Sequence, residues 1–554
     1  MTAAEKSPTP LVEIEGLAID FRVGGEWTNA VTGVDLTVAR GEVLAIVGES
    51  GSGKSTTAMA IPGLLADNAR VTGSIKLDGT ELVGQTEKQL NSIRGNKVAV
   101  IFQEPMTALN PVYTVGWQIA EALRAHKDIS KREAKARAVE LLELVDMPEP
   151  AKRVKYYPHQ LSGGQRQRAM IAQALACDPE LLIADEPTTA LDVTVQAEIL
   201  ELMRDLRTRI DSAIVLITHD MGVVADMADR ILVMKDGSIV EQGASRAIFG
   251  SPKEPYTRQL LAAVPHLGGG KHQETSPDAD AGTTPVLAMD NVVIEFGRRR
   301  DKFTAVNGVS LEIGSGEVVG LVGESGSGKS TLGRAAVGLV KVASGEVRVA
   351  GVDVASAGAN ELRPVRRRIG VVFQDPGSSL NPRWPIGQAI AEPLHLFGDL
   401  SRAQRDKKVE ELLDQVQLAT SYRNRFPHEL SGGQRQRVGI ARALALEPML
   451  LIADESTSAL DVSVQATVLE LFKDLQREHG FACLFISHDL AVVELVASRI
   501  AVLNQGKLAE IGPTEQILNR PSDDYTRRLL AAVPVPDPDQ QKIRREERRR
   551  ALKI

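Results

Sequence analysis

The residues VGESGSGKST stand at 47–56 and again, letter for letter, at 322–331. A glycine-rich loop closed by Lys and Ser is a local motif, yet here its surroundings repeat with it. FQEPMTALNP (102–111) returns as FQDPGSSLNP 271 residues later, and LSGGQRQR (161–168) and LLIADE (181–186) return after 269. The endings PYTRQLLAAVP and DYTRRLLAAVP keep that 269-residue spacing. A period this long exceeds any solenoid unit and marks duplication of a whole folding domain. The expected organisation is a first domain over 1–264, a flexible linker over 265–285, a second domain over 286–535 and a charged tail over 536–554.

The stretch HLGGGKHQETSPDADAGTTP is rich in Gly, Thr, Asp and Pro, so it reads as a solvated linker. The closing QQKIRREERRRALKI reads as a solvated tail or frayed helix in preference to an anionic-lipid contact. Composition narrows the class further. A net charge of −7 argues against broad nucleic-acid binding, which needs a basic footprint. The two cysteines, Cys177 in an apolar helical stretch and Cys483 in an apolar strand, read as buried small hydrophobes, consistent with a reducing compartment. The start, MTAAEKSPTPLVEIEG, lacks the basic and apolar regions of a secretion signal. No apolar run reaches the ~18 residues a membrane span requires. If the protein serves a membrane, partners are expected to cross it.

Within each half the pattern is α/β. VLAIV (43–47) and VVGLV (318–322) lead directly into the glycine loops. LLIAD (181–185 and 450–454), AIVLIT (213–218) and CLFIS (483–487) are further candidates for fully buried strands. SKREAKARAVELLELVDM (130–147) has helical amphipathicity and predicts a helical insert interrupting the sheet.

The glycine loops fit the phosphate-loop pattern. Gly48, Ser50, Gly51, Gly53 and Thr56, with Gly323, Ser325, Gly326, Gly328 and Thr331, would wrap backbone N–H groups around phosphates at a helix start. Lys54 and Lys329 add a point charge, and Ser55 and Ser330 offer hydroxyls to Mg²⁺. Asp185 and Asp454 end buried strands, where a carboxylate can hold that metal. Glu186 and Glu455 follow as candidates to orient or deprotonate water. His219 and His488, each ending a strand, suit a γ-phosphate sensor, and Gln103 and Gln374 a contact to metal or water.

LSGGQRQR resembles the signature of ATP-binding-cassette (ABC) ATPases, and the other motifs follow in that family's order. The resemblance covers both halves. It implies an α/β fold of two tandem ABC-type P-loop nucleotide-binding domains, each with a helical subdomain, paired head to tail. It also implies ATP and Mg²⁺ as ligands. Ser162, Gly163, Gly164 and Gln165 would then face the phosphate loop of the second half, and Ser431, Gly432, Gly433 and Gln434 that of the first. A short flexible tether supplies an effective concentration of about millimolar for such closure. Asp192 and Asp461 resemble loop residues that communicate between sites. Both copies keep every acid, lysine and histidine, so two hydrolytically competent sites are expected. Ser456 departs from Pro187 of the first copy. Adenine stacking is assigned to Phe303 and, in the first half, to Trp27, because Thr28 aligns with Phe303.

ALNP and SLNP after the glutamines, YPHQLSGGQRQR and FPHELSGGQRQR, and the YTRxLLAAVP endings resemble the dipeptide, oligopeptide and nickel importer branch. No cysteine-rich C-terminal extension is present, so no iron–sulfur cluster is expected. The resemblance implies an energy-coupling ATPase on the cytoplasmic face of a bacterial membrane, one copy per transporter. Its partners would be two transmembrane permeases, docked on the loops that begin at Gln103 and Gln374 and on the helical inserts, and an extracytoplasmic solute-binding protein. Dipeptides lead as cargo, then longer peptides, glutathione and nickel. An exporter ATPase, or a soluble ABC protein acting on ribosomes or DNA, is the competing reading. The latter lacks the long charged linker, zinc-binding cysteines or coiled coil it would want.

Overall fold

A computed structural model describes residues 10–189, 191–210, 212–268, 284–297, 302–397, 400–457 and 460–552. The chain divides into two units, one of 1–264 joined by 534–554, the other of 265–533. Most of the expected linker, residues 269–283, lies outside the described residues.

The first unit is built on a six-stranded sheet in the order Ser238–Ala244, Arg230–Lys235, Val43–Val47, Ala213–Ile217, Leu181–Asp185, Val98–Ile101. All neighbours run parallel except the edge strand Ser238–Ala244. Parallel strands need crossovers on both faces, which is why these segments are unbroken apolar runs without alternation. Every residue of Val43–Val47 and Ala213–Ile217 is buried. A second, antiparallel sheet, ordered Glu26–Val38, Val12–Val23, Ala69–Leu77, Thr80–Glu81, covers one face and shares its core.

Strands Val98–Ile101 and Leu181–Asp185 are adjacent and parallel, and their crossover is the helical insert. It holds Val115–His126, Lys131–Leu144 and Gly163–Ala174. Ser130 opens the middle helix as a capping box: Glu133 N–H donates to Ser130 Oγ at 3.2 Å, and Ser130 N–H to Glu133 Oε2 at 2.9 Å. The apolar face expected from SKREAKARAVELLELVDM buries Ala138, Leu141, Leu142 and Val145 in one cluster with Ile119, Leu123 and Ile171. Each large aliphatic side chain contributes about 1.5–3 kcal/mol there.

The second unit repeats the plan, with the sheet order Ile369–Val372, Leu450–Asp454, Ala482–Ile486, Val318–Val322, Arg499–Asn504, Lys507–Pro513. Its insert carries Ile386–Phe397, Arg402–Gln415 and Gly432–Leu444.

Two sequence expectations change. Cys177 lies beyond the end of helix Gly163–Ala174, in a buried turn, whereas Cys483 is in strand Ala482–Ile486 as expected. Burial raises both thiols above the usual range, so neither is poised as a thiolate. The tail is neither frayed nor simply solvated: Pro538–Leu552 is a helix belonging to the first unit. Arg545, Arg548 and Arg549 fall on one face at helical spacing. Arg548 and Arg549 pair with Glu201 at 2.7 and 2.6 Å, and Arg545 with Asp226 at 3.3 Å. A charge run is normally left in water, but here two partly buried carboxylates select one of its faces.

Candidate active sites

Each phosphate loop follows a central buried strand and turns through three left-handed glycines. In the first unit these are Gly48 (φ 151°), Gly51 (φ 80°) and Gly53 (φ 95°). A Cβ on Gly48 would lie 2.3 Å from Met234 O, and one on Gly53 2.9 Å from Ala30 O, so the loop is wedged against its neighbours. A Cβ on Gly51 would meet nothing within 4 Å among the described residues, leaving the middle of the loop open to them. Lys54 is 7% exposed, and its Nζ donates to Gly48 O at 2.9 Å and Glu49 O at 2.8 Å. The loop therefore curls around its own ammonium. In the second unit Lys329 Nζ donates to Gly323 O at 2.7 Å and Glu324 O at 2.8 Å. The buried hydroxyls of Ser52 and Ser327 have no partner among the described residues.

Beside each loop stands a hydroxyl–carboxylate pair. Ser55 Oγ donates to Asp185 Oδ1 at 2.9 Å, and Ser330 Oγ to Asp454 Oδ1 at 2.8 Å. Burial pushes both aspartates above the usual carboxylate range, against the opposing effect of those serines. An all-oxygen donor set next to a phosphate cradle is the chemistry a hard divalent cation prefers.

The next residues, Glu186 and Glu455, are non-glycine residues in left-handed backbone, at φ 47° and 45°. Their N–H groups close onto Ile217 O at 2.8 Å and Ile486 O at 2.9 Å. Paired strain of this kind persists only where the surroundings enforce it. Glu186 accepts from Gln103 Nε2 at 2.7 Å and Thr189 Oγ1 at 3.0 Å, and pairs with His219 Nδ1 at 3.1 Å. Glu455 accepts from Gln374 Nε2 at 2.8 Å, with His488 Nδ1 3.6 Å away. Burial alone would raise both glutamates, but their histidine contacts and the nearby lysines outweigh it and leave them below the usual range. Burial likewise favours neutral His488, yet Glu455 outweighs it and raises the imidazole above its ordinary value.

The structure thus gathers loop, Ser, both acids, Gln and His at the carboxyl edge of each central sheet. The signatures lie elsewhere, opening helices of the inserts. Ser162 and Ser431 are N-caps accepting from Gln165 and Gln434 N–H, each at 3.3 Å. The two signature glycines differ. Among the described residues, a Cβ on Gly163 would meet nothing within 4 Å and one on Gly432 only Leu460 Cδ2 at 3.6 Å, whereas Gly164 would strike Val195 at 2.6 Å and Gly433 Val464 at 2.3 Å. One glycine leaves the helix start bare and the next lets the helix pack. Asp192 and Asp461 begin helices Val193–Ile210 and Val462–His479, with Val195 N–H donating to Asp192 Oδ1 at 3.1 Å.

The adenine assignment does not carry over symmetrically. Phe303 pairs across its sheet with Phe296, and the equivalent pair in the first unit is Thr28 with Phe21. Trp27 pairs with Arg22, one register step away, and its ring lies beneath the Arg70 guanidinium at 4.6 Å. A one-residue step places a side chain on the opposite face of a sheet. Trp27 is therefore no counterpart of Phe303. The aromatics that share a register are Phe21 and Phe296, and the recurrence of IDF (19–21) as IEF (294–296), at the 275-residue spacing of the loops, was legible in the sequence.

Comparison with known proteins gives matches over this whole framework. The family described as ABC transporter matches residues 31–189 and 306–458. The oligopeptide/dipeptide transporter C-terminal region matches 240–286 and 509–553. The chain is similar to the glutathione import ATP-binding protein GsiA of Salmonella paratyphi A, 47% identical over 97% of this chain and 91% of that one. The protein of the same name from Pectobacterium atrosepticum is 46% identical over 95% and 90%. The dimeric structure of MJ0796, a bacterial ABC transporter cassette, aligns with 41% of this chain and 98% of its own at 33% identity and a TM-score of 0.39. Among the described residues no helix is long and apolar enough to cross a membrane.

Proposed function

The chain belongs to the ABC transporter ATPases, as the ATP-binding subunit of an importer of the oligopeptide branch, and from that premise we propose two composite ATP sites and a thiol-peptide or short-peptide cargo. One site combines Lys54, Ser55, Gln103, Asp185, Glu186 and His219 with the signature at 431–434. The other combines Lys329, Ser330, Gln374, Asp454, Glu455 and His488 with the signature at 162–165. The observation carrying this reading is the twice-built carboxylate: Glu186 and Glu455, each held by a glutamine and faced by a histidine, beside a lysine-filled loop.

In each site the lysine neutralises phosphate charge and fixes the loop. Ser55 with Asp185, and Ser330 with Asp454, would hold Mg²⁺, which when bound spreads the charge of the β- and γ-phosphates. Glu186 and Glu455, kept ionised below the usual range, accept a proton from or orient the attacking water, worth about 10²–10⁴ in rate. Gln103 with His219, and Gln374 with His488, aim that carboxylate. The bare helix start at Gly163 or Gly432 offers N–H donors and a dipole to the γ-phosphate from the opposite half. For adenine, Phe303 and the Phe296 paired with it across the sheet offer an aromatic platform in the second half, and Phe21, at the position matching Phe296, offers one in the first. In the full chain, Glu186→Gln with Glu455→Gln should keep ATP bound and abolish turnover; undiminished hydrolysis would remove both acids from these roles.

The partners are two permeases in the cytoplasmic membrane, which the subunit joins from the inner face, and an outside binding protein. Exposed apolar side chains support docking beside the first glutamine: Phe102, Met106, Val112, Tyr113 and Trp117, with Tyr113 and Trp117 stacked at 4.0 Å. For cargo, the relatives' name moves glutathione ahead of the dipeptides that the sequence motifs put first. Uptake of labelled glutathione and dipeptide, with the chain's own permeases and binding protein, tests that order: dipeptide-only uptake would restore the first ranking.

A further inference from the structure

The YTRxLLAAVP ending recurs in both halves, and the chemistry above leaves it without a role. Its tyrosines reach the phosphate loops. Tyr256 OH accepts from Glu49 N–H at 3.2 Å, and Tyr525 OH accepts from Glu324 N–H at 3.0 Å. Each tyrosine sits in the first turn of a short helix, Pro255–Ala262 or Asp524–Ala532. Just past these helices the chain changes unit: residues from Pro265 belong to the second unit, and those from Pro534 to the first.

What each exchanged segment meets is the helix that follows the histidine. In the first unit, Asp220 caps helix Met221–Met227, its Oδ1 accepting from Gly222 N–H at 2.8 Å. Gly222 lies against Pro534 so closely that a Cβ would sit 2.7 Å from the proline Cβ. At the far end of the same helix, Asp226 receives Arg545 at 3.3 Å. The tail therefore grips both ends of the helix that begins two residues after His219. In the second unit, Gly268 N–H donates to Glu494 at 2.9 and 3.1 Å, and Glu494 belongs to helix Leu490–Val496, which begins two residues after His488.

We propose that Tyr256 and Tyr525 are positioning residues that make each phosphate loop act on the other unit's histidine. Phosphate entering a loop moves the Glu324 or Glu49 backbone, and the tyrosine hydroxyl follows its donor. A packed helix does not compress, so the displacement passes through Asp524–Ala532 to Pro534, or through Pro255–Ala262 to Gly268. The receiving helix then shifts His219 against Glu186, or His488 against Glu455. Linkage makes the effect reciprocal, so the state of one histidine alters nucleotide affinity at the opposite loop. This rests on the reading of the loops as ATP sites.

The test uses the full chain carrying Lys54→Ala, so that only the second loop takes nucleotide. Binding of a fluorescent ATP analogue is measured first, then amide hydrogen exchange with and without a non-hydrolysable analogue. Exchange across 221–227 should slow about fivefold when the analogue binds. Adding Tyr525→Phe, which keeps the ring and removes the hydroxyl, should erase that protection while binding persists; adding Tyr256→Phe should not. Lys329→Ala gives the mirror experiment on 490–496. Binding without protection of 221–227, or protection that survives Tyr525→Phe, overturns the proposal alone. Absence of binding overturns the ATP-site reading of the second loop and the proposal with it.

Discussion

Alanine at the two adjacent signature glycines of the second unit should damage different properties. A methyl on Gly433 falls 2.3 Å from Val464 Cγ1, far inside van der Waals contact. Valine within a helix is nearly locked at χ1, so Val464 cannot swing aside cheaply. Overpacking of this kind costs about 1–3 kcal/mol, while replacing a helical glycine returns up to ~1 kcal/mol of propensity. The net is a loss of roughly 0–2 kcal/mol, or up to about 4–8 °C in the melting of a unit this size. Among the described residues a methyl on Gly432 meets only Leu460 Cδ2 at 3.6 Å, an ordinary contact, so Gly432→Ala should melt at or above the parent temperature. Yet Gly432 leaves bare the helix start that the composite-site reading turns toward phosphate. Gly432→Ala should therefore lose ATPase activity in a stable chain, and Gly433→Ala should lose stability. Calorimetry paired with phosphate-release kinetics reads both. A Gly432→Ala chain with undiminished turnover, or a Gly433→Ala chain melting above the parent, would mean that the two glycines do not divide these roles.

Asp226 is 4% exposed at its side chain and is shared by Arg204 and Arg545. Arg545→Ala leaves it paired with Arg204 and should cost under about 1 kcal/mol, whereas Arg204→Ala strips its buried partner and should cost several-fold more, as read by denaturant unfolding. Burial pushes Glu201 up, but hydrogen bonds from Arg549 and Arg548 outweigh it and hold the carboxyl below the usual range. Its contribution to tail docking is thus present above the ordinary glutamate value and lost as pH falls through the folded one. Hydrogen exchange over 538–552, corrected for intrinsic pH effects, should show protection near neutrality that disappears in strong acid. Phe296→Ala should weaken ATP binding severalfold while Trp27→Ala leaves it unchanged, checked by equilibrium titration. Chelation of divalent cations should stop turnover without melting either unit.

Much of this molecule is written in local patterns. The buried strands before each loop, the capping box at Ser130 and the acid after LLIA follow from residue type and spacing. What escaped sequence reading depends on long-range partners. The arginine face of the C-terminal helix has meaning only opposite Glu201 and Asp226, more than 300 residues earlier. Thr189 supports Glu186 through a turn that propensity does not specify. The surroundings of Trp27 likewise depend on strand register, which pairs it with Arg22 and sets it under Arg70 while Thr28 stands opposite Phe21.

In the proposed composite sites each nucleotide is hydrolysed with one half's carboxylate and the other half's signature. In a full chain carrying Glu455→Gln, the remaining turnover belongs to Glu186. Adding Ser431→Arg should then abolish it, and adding Ser162→Arg should cost far less, in steady-state phosphate release. The opposite ordering, with Ser162→Arg the lethal change, would mean that each half completes its own site and that the sites are not composite.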